Sequence, residues 1–395
     1  MIRYITAGES HGPGLTGIVE GVPAGLPIHE NEIAIHLARR QKGYGRGGRM
    51  AFERDRAIIS SGVRFGKTMA GPIALFMENR AFEKDKANWP VVMNKEAEAD
   101  GIEKITLPRP GHADLVGAQK YRFDDIRPVI ERSSARETGI RVACCSIARQ
   151  FLKHFGIEIG GHVIRIGAPG YESWEAARLQ TDHLFSEGAE AIYKKADESE
   201  VRCLDENLTN KMVDEIKKYR KEGSSLGGVY EIIVTGVPVG LGSYTHWDQK
   251  LDGKIAQAIL GTQAMKGVEI GLGFEAGARP GHKVHDEITH TGSEFSRGTN
   301  RAGGIEGGMS NGMPIIIRGA MKPIPTMLNP LGTVDMNTLK AQETRYERSD
   351  VCALPRAVVV AESAIAPVIA NAFLEKFGGD SISEIEERYR EFTKV

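Results

Sequence analysis

The 395-residue chain lacks a charge bias, a cysteine pattern and an apolar run of membrane length. Lysine plus arginine number 51 against 52 for aspartate plus glutamate, so no global field draws the protein to nucleic acid or to a membrane surface. The four cysteines, Cys144, Cys145, Cys203 and Cys352, show no metal-ligand spacing, and no metal site is expected. Cys144 and Cys145 adjoin in a helical pattern, as expected of reduced core thiols in a cytoplasmic protein. No stretch approaches the roughly 18 uninterrupted apolar residues of a membrane span. The opening MIRYITAGES runs straight into strand-like sequence, so no signal or transit peptide is expected. Also missing are the strand–GxGxxG–helix context of a dinucleotide fold and the GxxxxGK(S/T) of a P-loop. These absences point to an intracellular globular protein with a substantial core.

Glycine is abundant, at 47 residues, which implies many tight turns and backbone-lined sites. Short Val- and Ile-rich segments bounded by Gly or Pro predict strands over Gly14–Val22, Gly160–Gly167, Val229–Val237, Pro314–Arg318 and Ala357–Val360. Spacings of three and four predict a helix from Glu137 to Phe155, with Ile140, Cys144, Ile147, Phe151 and Phe155 on one face and Gly156 as a stop. Asn31–Gln41 and Leu251–Lys266 also read as helices. The polar segment 79–101 reads as a long mobile surface loop or lid, and residues 171–223 as a peripheral helical region. With no Pro/Ser-rich linker, one interwoven catalytic domain over 1–395 is expected. GVPAGL (21–26) is echoed by GVPVGL (236–241), and RPGH (109–112) by RPGH (279–282). An ancient duplication and coincidence in a glycine-rich chain both account for these pairs.

Five regions concentrate chemistry. In GESHGPG (8–14), Gly8, Gly12 and Gly14 strip side-chain bulk from around His11, either to make a tight turn or to bare the imidazole to a ligand. RRQKGYGRGGRM (39–50) places Arg39, Arg40, Lys42, Arg46 and Arg49 at a helix end and in a glycine-rich loop, where guanidinium groups can converge on phosphate or carboxylate. LPRPGHADL through ERSSARETG (107–139) supplies Arg109, His112, Arg132, Ser133, Ser134 and Arg136. Ser133 or Ser134 is a natural N-cap for the long helix, with Glu137 three residues after Ser134. Capping does not explain two arginines flanking a helix start, where cations need a compensating anion. GGIEGGMSNG and KPIPT (303–326) and RSDVCALPRA (348–357), with Arg348 and Asp350, complete the set.

Separated anion-competent regions and two histidines in Gly/Pro turns point to an enzyme acting on a phosphorylated, carboxylated small molecule. Together, GESHGPGLTGIVEGVPAGLPI, RPGHADL, ERSSARET, GGIEGGMSNG, KPIPT and the Arg-x-Asp before CALPRA resemble the chorismate synthases. The likeness runs in family order from about residue 3 to about residue 375. It implies an α+β fold with helices sandwiched between antiparallel β-sheets, a homotetramer, and no nucleic-acid or membrane partner. It implies the 1,4-elimination of phosphate from 5-enolpyruvylshikimate 3-phosphate to give chorismate, with reduced FMN required and no net redox change.

Carried over position by position, the resemblance makes His11 the general acid at the substrate phosphate and His112 a partner of the reduced flavin. Asp350 would take part in removing the substrate proton, with Ser10 orienting. Flavin contacts would come from Arg132, Ser133, Ser134, Gln263, Ala264, Gly307, Lys322, Pro323, Ile324, Pro325, Thr326 and Arg348. Arg40, Arg46, Arg49, Arg109 and Arg136 would gather around the substrate's anionic groups. Arg40 and Arg46 also match positions described as NADPH-binding, relevant only if the protein reduces its own flavin; reduction by an external system is expected. His282, in the second RPGH, departs from the family pattern and is read as a decoy. His285 is read as ordering a turn. The alternatives are a flavin-independent lyase or transferase acting on another phosphorylated carboxylate, and an RNA-binding module using residues 39–50, which the balanced charge disfavours.

Overall fold

In GLTGIVE, Leu15, Gly17 and Val19 point inward while Thr16, Ile18 and Glu20 point out, the period-two alternation of a half-covered strand. This is β2 (Gly14–Glu20), and β1 (Arg3–Gly8) pairs with it antiparallel. β4 (Ile73–Glu78) pairs with the far side of β2, and β3 (Ala57–Ser61) forms the edge, so the order is β1-β2-β4-β3. A second antiparallel sheet is built from β5 (Glu158–Ile166), β6 (Gly228–Thr235), β7 (Met265–Ile270) and β8 (Ile315–Met321), in the order β5-β6-β8-β7. The computed structural model describes residues 1–45, 55–80, 82, 102–290, 292, 295–344 and 350–394.

The two sheets share one strand order, and in each the second strand leads into a GVPxGL turn. The turn glycines match as well: Gly21 and Gly236 have φ of 76° and 75°, Gly25 and Gly240 of 86° and 85°. A helix follows each turn, α1 (Glu30–Gln41) in the first half and, further along, α8 (Leu251–Leu260) in the second. The repeated motif therefore marks two similar halves.

Between the sheets lie α1, α4 (Thr138–His154), α8 and α9 (Leu354–Phe377), with α4 against β2 and β4 and α9 against β5 and β6. From Thr138 to Leu152 only Arg141 of α4 escapes burial, as a helix packed on all sides requires. Gly17 permits the close approach of α4: a Cβ there would meet Cys144 Sγ at 2.3 Å. On β5 a Cβ at Gly161 would meet Val358 of α9 at 2.8 Å, and one at Gly160 would meet the Ala189 carbonyl on the opposite face at 1.9 Å. That outer face is covered by α5 (Trp174–Thr181), α6 (Ala189–Ala196) and α7 (Glu206–Lys221), inserted between β5 and β6.

The α+β arrangement of helices between antiparallel sheets is thus the one the resemblance implies. Ala357–Val360, expected as a strand, is instead part of α9. A continuous apolar run has no periodicity to separate a buried strand from a buried helix, and here the run continues to Phe377. α9 is the one described helix long and apolar enough to cross a membrane, but 78% of its apolar window is buried inside the protein. Inside the layer Glu362 accepts from Arg39 at 2.6 and 3.0 Å and from Arg149 at 3.1 Å, an ionic cluster with almost no exposure. The expected helix over 251–266 ends at Leu260, and Met265 already begins β7.

Candidate active site

The β1–β2 turn carries Ser10 and His11. Asn79, at the end of β4, closes it from behind, donating from Nδ2 to the Ser10 and Gly12 carbonyls at 2.8 and 2.9 Å. From the front it meets α3 (Arg127–Ser133). Ser10 N–H donates to the Glu131 carbonyl at 3.2 Å, and Ser10 Oγ to Ser134 Oγ at 3.0 Å. His11 N–H donates to Glu131 Oε2 at 2.9 Å, and His11 Nδ1 lies 2.5 Å from Glu131 Oε1. A carboxylate accepts only, so the ring hydrogen of this contact sits on Nδ1.

Ser134 is the cap the sequence anticipates: its Oγ accepts from Arg136 N–H at 3.3 Å, opening the single 3-10 turn Ala135–Glu137 ahead of α4. Ser133 turns its hydroxyl back to the Val129 carbonyl at 2.7 Å. Glu137 does not close a capping box. It accepts from Thr6 Oγ1 at 2.8 Å, from Gln263 Nε2 at 3.3 Å, and pairs with Arg141 at 3.0 Å. Burial would raise its pKa, yet Arg141 and these donors hold it below the usual carboxylate value. Arg132 donates to the Thr6 carbonyl and hydroxyl at 2.8 and 2.7 Å. The anion beside Arg136 belongs to the chain itself: both Asp55 oxygens lie 2.8 Å from its guanidinium. Arg40 joins them at 3.4 Å and also donates to Thr138 Oγ1 and the Ala135 carbonyl at 3.0 and 2.9 Å.

The first RPGH turn precedes α2 (Asp114–Tyr121). Asp114, fully buried, accepts from Arg109 Nε and backbone N–H at 2.8 and 3.1 Å, and its Oδ1 lies 2.5 Å from His112 Nδ1. Burial pushes this carboxyl up, but His112 and Arg109 override it and hold the group well below the usual carboxylate range. Arg109 reaches Thr326 Oγ1 at 3.5 Å, and Lys322 Nζ donates to the Gly111 carbonyl. Lys322 N–H in turn donates to the Ala264 carbonyl at 3.0 Å. Ala264 holds a left-handed φ of 66°, a conformation that costs a non-glycine residue about 1–2 kcal/mol.

Asp350 pairs with Arg356 at the start of α9. The next residue, Val351, donates to the Gly45 carbonyl at 2.9 Å and accepts from Leu226 N–H at 2.8 Å. Neighbouring Ser225 Oγ donates to the Ile324 carbonyl at 2.6 Å, so the Asp350 segment and the KPIPT segment flank the same short stretch of chain. A continuous hydrogen-bonded frame therefore joins Ser10, His11, Arg132–Glu137, Gln263, Ala264, Gly111 and Lys322, with Asp350 alongside. Gly307 stands apart. It turns the ribbon Ile305–Glu306/Met309–Ser310 together with Gly308, at φ of 59° and 89° as a two-residue hairpin demands. Leu251 N–H donates to the Gly308 carbonyl, at the N-terminal end of α8. Gln263 and Ala264 follow its C-terminal end, about 15 Å away for a ten-residue helix. Arg46, Arg49, Arg348 and most of loop 79–101 lie outside the described residues.

In the second RPGH, Arg279 pairs with Glu175 and Glu275, and His282 is exposed. Turn ordering in KVHDE is the work of Asp286, which accepts from Arg301 and Ala302 N–H at 2.9 Å each. His285 contributes a backbone N–H to the Gly281 carbonyl at 3.0 Å.

The family model described as chorismate synthase matches residues 2–374. The chain belongs to the chorismate synthase family. The chorismate synthase of Salinibacter ruber is 54% identical over 391 residues, covering 98% of this chain and 97% of that relative. That of Chlorobaculum tepidum is 54% identical over 390 residues, covering 98% and 96%. A crystal structure of a chorismate synthase superposes with a TM-score of 0.78 at 41% identity, covering all of this chain and 97% of the other. Chorismate synthases are carbon–oxygen lyases that eliminate phosphate from 5-enolpyruvylshikimate 3-phosphate.

Within this frame, sequence reasoning missed Glu131, Asp55, Asp114 and Asn79, and read Glu137 only as a capping residue. Asp114 had a readable signal: RPGH is followed by Ala-Asp in the first copy and by Lys-Val in the second. Asp55 is one of the first acids after the basic loop. Glu131 and Asn79 contact residues more than 60 positions away, which no local pattern reports.

Proposed function

We propose that His11, His112, Asp350 and Ser10 carry the 1,4-elimination of phosphate from 5-enolpyruvylshikimate 3-phosphate in this chorismate synthase family member, with FMN as its reduced cofactor. Its residues fit that group. Gln263 Oε1 is buried without a hydrogen-bond partner among the described residues, which leaves an acceptor for a flat polar ring. A Cβ at Gly307 would meet nothing within 4 Å, leaving backbone accessible to a ligand. Arg132, Ser133, Ser134, Gln263, Ala264, Gly307, Lys322, Pro323, Ile324, Pro325, Thr326 and Arg348 would hold it. When bound, reduced flavin supplies the transient electron donor that lets C–H and C–O bonds break on opposite ring faces without net redox change.

The chain's own residues bind, orient and move protons. As the imidazolium, protonated on both ring nitrogens, His11 gives the Nε2 proton to the departing phosphate and is left as the neutral Nδ1–H ring. Positioned acid catalysis of this kind contributes about 10²–10⁴-fold. Arg40, Arg46, Arg49, Arg109 and Arg136 stabilise charge gathering on that phosphate. Ser10, bonded to Ser134, fixes the turn that carries His11. His112 holds a proton near the flavin, and Asp350 accepts the substrate proton.

What supports this reading most is the hydrogen-bonded frame that links the His11 turn, the Arg132–Glu137 segment and the first RPGH turn from distant parts of the chain. Assembly as a homotetramer belongs to the proposal, supported by Ile5, Ile18, Ile58 and Phe76, exposed on one face of the first sheet. A cytoplasmic location belongs to it too, supported by four buried free cysteines. So does flavin reduction by an external system, with Arg40 and Arg46 as the NADPH contacts should the enzyme reduce its own. The test is an anaerobic assay with dithionite-reduced FMN and the enolpyruvyl substrate, following inorganic phosphate and chorismate. Release of both is expected; release of neither overturns the reading.

A further inference from the structure

Residue 131 grips the β1–β2 turn three times. Its carbonyl accepts from Ser10 N–H, one carboxylate oxygen accepts from His11 N–H at 2.9 Å, and the other lies 2.5 Å from His11 Nδ1. The His11 and Glu131 side chains are 17% and 13% exposed, so solvent hydrogen bonds cannot readily replace these contacts. Asp114 repeats the arrangement beneath His112, but there the carboxylate is shared with Arg109. Glu131 faces the imidazole and its backbone with both oxygens.

We infer that Glu131 is a positioning residue that keeps a hydrogen on His11 Nδ1, so that the imidazolium gives up its Nε2 proton to the substrate's phosphate and the neutral ring left behind is the Nδ1–H form. This rests on the role proposed above for His11. Only an acceptor at both oxygens can serve two donors at once. An amide in the same place has one acceptor and one donor. The backbone N–H cannot reverse its role, so the amide oxygen stays with it and the amide N–H₂ turns to Nδ1. The ring nitrogen must then accept, and the hydrogen moves to Nε2. In a hydrolase triad, the equivalent exchange of an orienting aspartate for asparagine costs about 10⁴-fold in turnover through the wrong tautomer.

The test uses full-length protein labelled with ¹⁵N-histidine, whose nitrogen shifts separate the two neutral tautomers. The His11 signal is identified by difference from His11→Asn. The wild type is expected in the Nδ1–H form and Glu131→Gln in the Nε2–H form. With reduced flavin, Glu131→Gln is expected to lose at least about tenfold in kcat with KM changed less than about threefold. Glu131→Asp keeps a carboxylate and is expected to retain Nδ1–H and to exceed the glutamine variant in kcat. It carries the test alone if the glutamine variant fails to fold. Glu131→Gln with Nδ1–H and wild-type turnover overturns the inference. So does Glu131→Asp with Nε2–H and full turnover, or a loss of rate equal in both variants with no change of tautomer. Absence of phosphate release by the wild type would count against the reaction itself, while the spectra, taken without substrate, still decide the role of Glu131.

Discussion

Asp114 Oδ1 lies 2.5 Å from His112 Nδ1 in the wholly buried floor of the first RPGH turn. The same carboxylate holds Arg109, so a single side chain orients a histidine and an arginine of the proposed site. Asp114→Asn should leave Arg109 facing a neutral amide and cost about 3–5 kcal/mol, the usual range for breaking a buried pair. Denaturant unfolding measures that loss. Flavin titration by fluorescence should show affinity reduced at least about tenfold; unchanged affinity would mean that the turn does not reach the cofactor.

His11→Ala should lower turnover at least about a hundredfold while flavin still binds, because it removes the acid and leaves the cofactor contacts in place. Stopped-flow phosphate release with matched flavin titrations checks both halves of the statement. Wild-type turnover in this variant would remove His11 from the mechanism.

Asp350→Asn should keep the fold and slow the elimination itself. An asparagine retains the shape beside Arg356 but not the base. A single-turnover measurement isolates that step from product release, and an unchanged rate constant would exclude Asp350 as the proton acceptor.

Glu362→Gln tests the helical layer and not the chemistry. Glu362 neutralises Arg39 and Arg149 where neither can reach bulk water. Losing the charge should destabilise the protein by about 3–5 kcal/mol. Chemical denaturation followed by circular dichroism gives the number, and a change below about 1 kcal/mol would mean that the cluster is compensated elsewhere.

Acid stability should depend on His162. Burial, with Arg178 and Arg318 adding to it, lowers this imidazole to about 3 from an ordinary value of 6.5. Above the ordinary value both folded and unfolded chains hold it neutral, so it contributes no pH dependence there. As pH falls from there towards 3, the unfolded chain takes up a proton that the folded one refuses. Stability then drops by about 1.4 kcal/mol per pH unit from this residue alone. Compared with wild type, His162→Gln should lose less stability between pH 7 and pH 5, whatever its stability at pH 7. Parallel unfolding curves at those two pH values decide it.

Where order is local, the sequence was readable. The spacing of Ile140, Cys144, Ile147 and Phe151 predicts α4 to within a residue at each end, because one helix face repeats on a fixed period. Ala357–Val360 misled for the opposite reason, since a helix buried all round has no face to betray its period. The histidines and arginines stood out because glycine and proline frame them in short motifs. Their partners did not: Glu131 acts 120 positions from His11, and Glu137 acts 131 positions from Thr6. Charge at a helix start correctly called for an anion near Arg136, but the structure supplies Asp55, a residue the pattern could not connect to it.

The two sheets share a strand order, yet they differ in how the first strand of each half passes to the second. β1 returns through residues 9–13, which present His11, whereas β5 returns through residues 167–227, which lay α5, α6 and α7 over the outside of their sheet. Brevity at the first crossing thus sets two properties together. It brings an imidazole to the rim, and it provides no segment to roof the apolar row of Ile5, Ile18, Ile58 and Phe76 behind it. Among the described residues, the half kept lean enough for chemistry is also the half with an uncovered back.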